Sequence, residues 1–144
     1  MERKSLLKRQ SKAYLKVAKR QLAMAESLLE KELYEGVMFH SYQALESILA
    51  AGIAQRLHSV PRPHKEKINT FIALYQNIPF INEIKLISRL LYPHRDKSLY
   101  ADIEFGEIRD PTLIYSREDA LDAINKVKGV AEKTEEILKE EDLQ

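Results

Sequence analysis

Apolar residues recur every three to four positions along most of the chain, which is the spacing of an amphipathic helix. Five stretches show this spacing, and they predict helices over residues 11–31, 34–57, 64–76, 79–92 and 116–139. No stretch alternates apolar and polar residues as a strand does. The pattern therefore predicts an all-α fold, an up-and-down bundle of about five helices in a single domain of residues 1–144.

The connections between these helices contain residues that end or begin helices. Two prolines bias the residues before them away from helical geometry, so residues 59–63 are predicted to form a loop. Pro93 is predicted to end or kink the fourth helix, because its ring clashes with the carbonyl four residues back. Residues 101–115 are expected to be irregular, and Ser116 is predicted to cap the last helix.

Small residues line one face of the second predicted helix. They are Ser41, Ala44, Ala51 and Gly52. A glycine inside a helix costs about 1 kcal/mol relative to alanine, so the close approach of another helix is a reasonable explanation for Gly52. The same face is one of two reasons to expect a homodimer.

The composition excludes several classes of protein. The chain has no cysteine, so disulfides and thiolate metal sites are excluded, and a reducing, cytoplasmic location is expected. No apolar run approaches the roughly 18 residues of a membrane span, and no membrane association is predicted. The formal net charge is only +1, which argues against a protein dedicated to coating DNA.

Charge is distributed unevenly between the two ends of the chain. Residues 1–20 hold eight Lys or Arg and one Glu, whereas residues 116–144 hold five Lys or Arg and nine Asp or Glu. In one interpretation these are solvated faces that attract each other across neighbouring helices. In the other, the basic first helix meets RNA or an acidic partner.

Chemically active side chains are concentrated around the predicted end of the fourth helix. They are Arg89, His94, Arg95, Tyr100 and Asp102. Cleavage of RNA without a metal requires a general base and a cation for the developing charge, and His94 and Arg89 suit these roles. In the alternative interpretation Arg89 is a surface residue and His94 caps the carbonyls of the fourth helix.

Arg95 also has two interpretations. Its planar guanidinium matches a phosphate or a carboxylate, so Arg95, Tyr100 and Asp102 are candidate ligand- or partner-binding residues. Alternatively, Arg95 forms an internal ion pair with Asp102 or Glu46 and holds the irregular segment on the bundle.

A polar stripe on the second predicted helix adds further candidates. His40, Gln43 and Glu46 are predicted to line a cleft or an interface. His40 and Glu46 are six residues apart, which is poor spacing for one helix face, so no metal site is predicted, and no cofactor is expected. His64 is expected to bond locally at the start of the third helix, and His58 is expected to be exposed.

Three stretches with this helix order carry a family resemblance. Residues 39–51 contain an aromatic-Gln-Ala-x-Glu core, the third helix opens with His64-Lys65, and Arg95 precedes Tyr100 by five positions. Their order and spacing resemble the HEPN domain (higher eukaryotes and prokaryotes nucleotide-binding domain), particularly its short single-domain prokaryotic branch. The likeness spans about residues 10–140.

The resemblance implies an all-helical bundle that commonly dimerises. It also implies a gene beside that of a small nucleotidyltransferase in a toxin–antitoxin pair. Some members are metal-independent ribonucleases with an Arg-x4–6-His motif that meets its copy at a dimer interface. Arg89 and His94 have that spacing here, but Leu90 replaces the polar residue that usually follows the Arg, and Pro93 directly precedes the His.

The predicted function is therefore binding. We expect a homodimeric HEPN-type protein that partners a nucleotidyltransferase-like protein in a two-component, toxin–antitoxin-like module and binds a nucleotide or RNA. The first alternative is a metal-independent ribonuclease toxin that uses Arg89 and His94. The second is a non-catalytic structural interaction protein.

Overall fold

The computed structural model describes residues 2–144, and five helices of at least eleven residues form the bundle there. Helices α1 (Arg3–Glu30), α2 (Tyr34–Gln55), α3 (His64–Leu74) and α4 (Ile81–Leu91) follow one another along the chain. A one-turn helix α5 (His94–Lys97) and an antiparallel hairpin of β1 (Ile103–Glu104) and β2 (Glu107–Ile108) precede the last helix, α6 (Arg117–Asp142). The predicted all-α class is confirmed.

Helix α2 lies at the centre of the bundle and packs against each of the other five helices. Fifteen of its 22 residues are buried. Leu45, Ile48 and Leu49 form the core with Phe71 of α3 and Ile84 of α4, and all five are fully buried. Burying a side chain of this kind contributes about 1.5–3 kcal/mol, so α2 organises the hydrophobic core.

The small-residue face of α2 is used within the chain. A Cβ added at Gly52 would lie 2.5 Å from Cε2 of Phe71, and the Tyr75 hydroxyl donates to the Gly52 carbonyl at 2.7 Å. On the α1 side, the hydroxyl of Ser11 donates to the carbonyl of Ala51 at 2.7 Å. The predicted close approach is confirmed, but α1 and α3 occupy this face. It therefore does not support a homodimer, which now rests on the family alone.

Helix α1 begins at Arg3, eight residues before its predicted start, and pairs with α6 through opposite charges. Lys8 lies 3.8 Å from the carboxylate of Asp142, and Lys19 lies 2.9 Å from that of Glu135. These contacts support the interpretation of the charge asymmetry as attraction between neighbouring helices. Such exposed pairs contribute about 1 kcal/mol or less each.

The chain between α4 and α6 is more ordered than predicted. Helix α4 ends at Leu91 and Pro93 precedes α5, which confirms that this proline interrupts the helix. The expectation of an irregular segment over residues 101–115 is wrong at the hairpin, whose turn is formed by Phe105 (φ 52°) and Gly106 (φ 78°). Positive φ at both central positions is typical of the two-residue turn that matches the twist of a hairpin.

The start of α6 is capped as the sequence predicts. The amide of Asp119 donates to the Ser116 hydroxyl at 3.1 Å, and the amide of Ser116 donates to the Asp119 carboxylate at 2.9 Å. This reciprocal pair satisfies two amides that the first turn of a helix leaves without partners.

Candidate functional site

Arg89 and His94 line different cavities. Arg89 lines a groove between α3 and α4, together with Lys65 and Tyr92. His94 lines a second cavity between α4, the hairpin segment and α6, together with Tyr115 and Lys126. The break at the proline between them separates the two side chains, so one chain does not bring them into a single cavity.

His94 is held by Tyr115 in a cavity of about 440 Å³. Nδ1 of His94 lies 2.8 Å from the Tyr115 hydroxyl, and the two rings meet edge to face. Burial, and then the neighbouring charge of Lys97, lowers the pKa of His94 below 6.5. Burial also raises the pKa of Tyr115 to about 12. A neutral His94 beside a protonated Tyr115 can accept or relay a proton.

Arg109 supports both the cavity and the hairpin. Its guanidinium donates to Glu104 at 2.6 Å and to Asp102 at 3.4 Å, and its backbone amide donates to the Asp102 carbonyl at 2.8 Å. Arg109 could not be identified from the sequence, because no motif marks it and its partners depend on the hairpin. Asp102 is thus tied to Arg109.

Arg95 does not form either of the predicted ion pairs. Its guanidinium lies 2.9 Å from the carboxylate of its neighbour Asp96, whereas Asp102 and Glu46 have other partners. The prediction that Arg95 braces the segment through Asp102 or Glu46 is wrong, because α5 places Arg95 and Asp96 side by side. Tyr100 is about half exposed, just after α5.

Glu46 is the centre of a buried charge cluster between α2 and α3. Its two carboxylate oxygens lie 2.7 Å from Nδ1 of His64 and 2.6 Å from Nζ of Lys67. Burial by itself would raise the pKa of Glu46, but the hydrogen bonds from Lys67 and His64 outweigh it and hold this pKa below its usual value. The expectation that His64 bonds locally is therefore wrong, and Glu46 connects two helices.

The other members of the polar stripe face elsewhere. Nδ1 of His40 donates to the side-chain oxygen of Gln21 on α1 at 2.6 Å, and burial lowers the pKa of His40. Gln43 is half-buried. His40 and Glu46 thus contact different helices, and the stripe does not converge on one cleft. His58 is exposed, as expected.

The α3–α4 groove is cationic and measures about 390 Å³. Lys65 from α3 and Lys85 and Arg89 from α4 line it, and no carboxylate does. Its apolar lining comes from Ile68 and Ile72. Of these three cations only Arg89 was a candidate from the sequence, since the two lysines join it only when α3 packs beside α4.

The segment of residues 99–114, which we call the docking segment, exposes many large apolar side chains. Of the sixteen such side chains that are exposed in residues 2–144, seven lie in this segment. They include Ile103, Ile108 and Leu113, and Phe105 at the tip of the hairpin is fully exposed. Tyr100 and Asp102, the two candidate residues of this stretch, lie in the same segment.

Neither a metal site nor a membrane span is found in residues 2–144. No three His, Asp or Glu side chains lie close enough there to hold a metal ion. No helix in that range is long and apolar enough to cross a bilayer.

The family model of the HEPN domain matches residues 11–137 of the 144-residue chain. No curated protein and no solved structure matches the chain. The family match covers all five long helices except the start of α1 and the end of α6. It agrees with the resemblance of the second helix, the third helix and the segment after the fourth. This chain therefore belongs to the HEPN domain family.

Proposed function

We propose that this protein is the binding component of a two-component module and that its docking segment holds a nucleotidyltransferase-like partner. Proteins of the HEPN family have functions that involve nucleotides or RNA, often occur in toxin–antitoxin pairs and often dimerise. The observation that carries the proposal is the exposed apolar surface of residues 99–114. Large exposed apolar patches are typical of interaction sites.

The hairpin breaks several local rules, which supports a role outside the fold. Phe105 has a positive φ, which lowers the stability of the fold. Its side chain is fully exposed, so burial in the core does not offset this cost. Glu104 and Glu107 face each other across the hairpin, where like charges are unfavourable, and Arg109 compensates the charge of Glu104. Local conflicts of this kind are expected at functional sites. The partner surface that fits is an apolar pocket with a cationic rim.

Binding is favoured over cleavage by the placement of the two candidate catalytic residues. Because Arg89 and His94 line different cavities, a cleavage site would need Arg89 of one copy beside His94 of another.

The test is to co-express the full chain with the product of the neighbouring reading frame and to measure their affinity. We expect a nucleotidyltransferase-like product that co-purifies with this protein. Removing an aromatic anchor at the centre of an interface costs about 2 kcal/mol or more, so Phe105→Asn should weaken binding at least about thirtyfold. A matched control is Leu86→Gln, which changes an exposed apolar residue of α4 outside the docking segment.

Two results would contradict the proposal. One is a neighbouring product that is not nucleotidyltransferase-like. The other is a complex whose affinity is the same for Phe105→Asn and for Leu86→Gln, because that result would locate the interface away from the hairpin.

A further inference from the structure

We propose that a partner adds an extended strand to the free edge of β1, and that this strand alternates apolar and basic side chains. In taking the docking segment as an interface, this inference rests on the proposed function. Strand addition holds an extended segment by main-chain hydrogen bonds, while its alternate side chains supply specificity.

The register of the hairpin points the backbone of Ile103 outwards. Ile103 pairs with Ile108. In the position before them, the amide of Arg109 donates to the carbonyl of Asp102 at 2.8 Å. Hydrogen-bonded and non-bonded positions alternate along an antiparallel pair of strands. The amide and carbonyl of Ile103 therefore point away from β2, and those of Ile108 point away from β1.

The edge of β1 is open. Residues 101–105 are all exposed, and within residues 2–144 no group forms a hydrogen bond to the outer side of Ile103. The edge of β2 is shorter, because residues 109–111 are half-buried or buried. Unpaired backbone groups along an exposed edge are a template for another strand. The edge of β1 is therefore the one that a partner strand can use.

The hairpin also leaves an apolar face uncovered. Ile103 and Ile108 lie opposite each other on that face and are 75% and 62% exposed. A two-stranded hairpin is only marginally stable unless a further strand or a helix packs against it. A third strand with apolar residues on this face would cover Ile103 and extend the sheet.

The opposite face of the hairpin is acidic. Because side chains alternate between the two faces, it carries the side chains of Asp102, Glu104, Glu107 and Arg109. Arg109 pairs with Asp102 and Glu104, whereas Glu107 has no ion pair within residues 2–144. Opposite charges on neighbouring strands stabilise a sheet. Basic residues on this face of the added strand are therefore favoured.

The acidic face disfavours a second copy of the chain as the occupant. Antiparallel pairing of two β1 strands centred on Ile103 would place Asp102 of one copy opposite Glu104 of the other. Like charges directly opposite each other destabilise a sheet. The occupant that fits is an extended segment of a different protein, with basic and apolar residues in alternation.

Two synthetic peptides of equal composition test this pattern. One alternates lysine and valine, and the other has all its lysines before its valines. We titrate each into the full chain labelled with nitrogen-15 and follow the backbone amides by NMR. We expect the alternating peptide to bind more tightly than the grouped one, and its binding to slow hydrogen exchange at the amide of Ile103 but not at that of Ile108.

Proline substitutions test the backbone of the edge. Ile103→Pro removes the outward amide, and proline is tolerated on an edge strand where the amide faces away from the ladder. It should weaken binding of the alternating peptide about three- to tenfold, the effect of losing one hydrogen bond. Ile108→Pro is the matched control, because it makes the same change on the other edge. Ile103→Ala keeps the amide and should weaken binding less than Ile103→Pro does.

The NMR signal of the Arg109 amide should keep its position in both proline variants, because this amide bonds inside the hairpin. The comparison of the two peptides and the exchange at Ile103 use the unaltered chain, so they decide the inference even if a variant disturbs the hairpin.

Three results would overturn the inference. The first is a grouped peptide that binds as tightly as the alternating one. The second is an affinity of Ile103→Pro equal to that of Ile108→Pro or of Ile103→Ala, because backbone pairing at β1 would then contribute nothing. The third is exchange at Ile103 that slows with rising protein concentration in the absence of peptide, because a second copy would then occupy the edge.

The peptides also separate strand addition from the proposed module. If the neighbouring product binds through Phe105 while the alternating peptide has no preference for the β1 edge, strand addition is wrong and the docking segment remains. If the peptide binds as expected and no neighbouring product does, the module is wrong and the strand-binding edge remains.

Discussion

Gly52 allows α2 and α3 to approach closely. A Cβ there would lie 2.5 Å from Phe71, whose fully buried ring is stacked on Tyr75 with ring centroids 4.4 Å apart. A shift of the ring away from the added Cβ would disturb this stacking. We therefore expect Gly52→Ala to lower the free energy of unfolding by about 1–3 kcal/mol, as overpacking usually does. Urea denaturation monitored by circular dichroism measures this change.

Gly129 is the matched control for Gly52. It lies inside α6, and a Cβ added there would meet no atom within 4 Å. Gly129→Ala should raise the free energy of unfolding by about 0.5–1 kcal/mol, because alanine loses less backbone entropy in a helix. If both alanine variants change stability in the same direction, the close contact at Gly52 is not the cause.

Glu46 should make stability depend on acid pH. The pKa of its carboxyl is lower in the folded chain than the ordinary value of 4.5, since the hydrogen bonds from Lys67 and His64 outweigh burial. The ionised carboxylate therefore stabilises the fold above about pH 4.5, and this contribution is lost as the pH falls through the folded value. We expect Glu46→Gln to lower the free energy of unfolding at pH 7 by about 3 kcal/mol, the effect of breaking a buried ion pair.

The partner of Glu46 provides the control. Lys67→Met removes the cation, so the double variant Glu46→Gln/Lys67→Met should lose less stability than the sum of the two single variants. Urea denaturation at pH 7 and at pH 4 gives both results. A loss of stability between these pH values that is equally steep in Glu46→Gln would show that other carboxylates cause it.

At the scale of the elements, the hairpin turn holds a non-glycine residue in an unfavourable backbone conformation. Phe105 has φ 52° and makes no contribution to the core, being fully exposed. Asparagine tolerates this conformation, and Asn-Gly is a preferred pair for such a turn. Phe105→Asn should therefore leave the melting temperature unchanged or raise stability by up to about 1 kcal/mol. A marked fall in the melting temperature would mean that Phe105 supports the fold.

The observed ends of the helices and strands show which boundaries could be predicted from the sequence. The break after α4 was predictable because proline acts locally on its own helix. The helical structure of the first ten residues was not predictable, because Ser11 interrupts the apolar stripe of α1. That serine is buried, but its hydroxyl is satisfied by the Ala51 carbonyl of α2. The hairpin was missed because its strands have two residues each and both are exposed.

At the scale of the whole molecule, we expect little or no ribonuclease activity. Labelled RNA incubated with the purified protein in excess EDTA tests this, since a His-based mechanism needs no metal. General acid–base catalysis contributes about 10²–10⁴-fold. Cleavage that persists in EDTA and disappears in His94→Ala would therefore contradict our preference for binding. Cleavage that His94→Ala leaves unchanged would come from another site or a contaminant.

The oligomeric state remains a prediction from the family. We expect sedimentation at micromolar concentration to give about twice the chain mass of 16.7 kDa. The interface must lie outside the small-residue face of α2, because α1 and α3 cover that face. A single species of 16.7 kDa would contradict the prediction.

Periodicity and local signals were enough to predict the five long helices apart from the start of α1, the cap at Ser116, the break at Pro93 and the family. These features depend on periodicity and on residues close in the chain, so they can be predicted from the order of the residues alone. Which charges meet could not be predicted, because it depends on helix packing. Glu46 pairs with Lys67 and not with Arg95. Arg89 and His94 line different cavities, and two lysines line the same groove as Arg89. Such contacts join helices far apart in sequence, and their geometry is set by how the helices pack around α2.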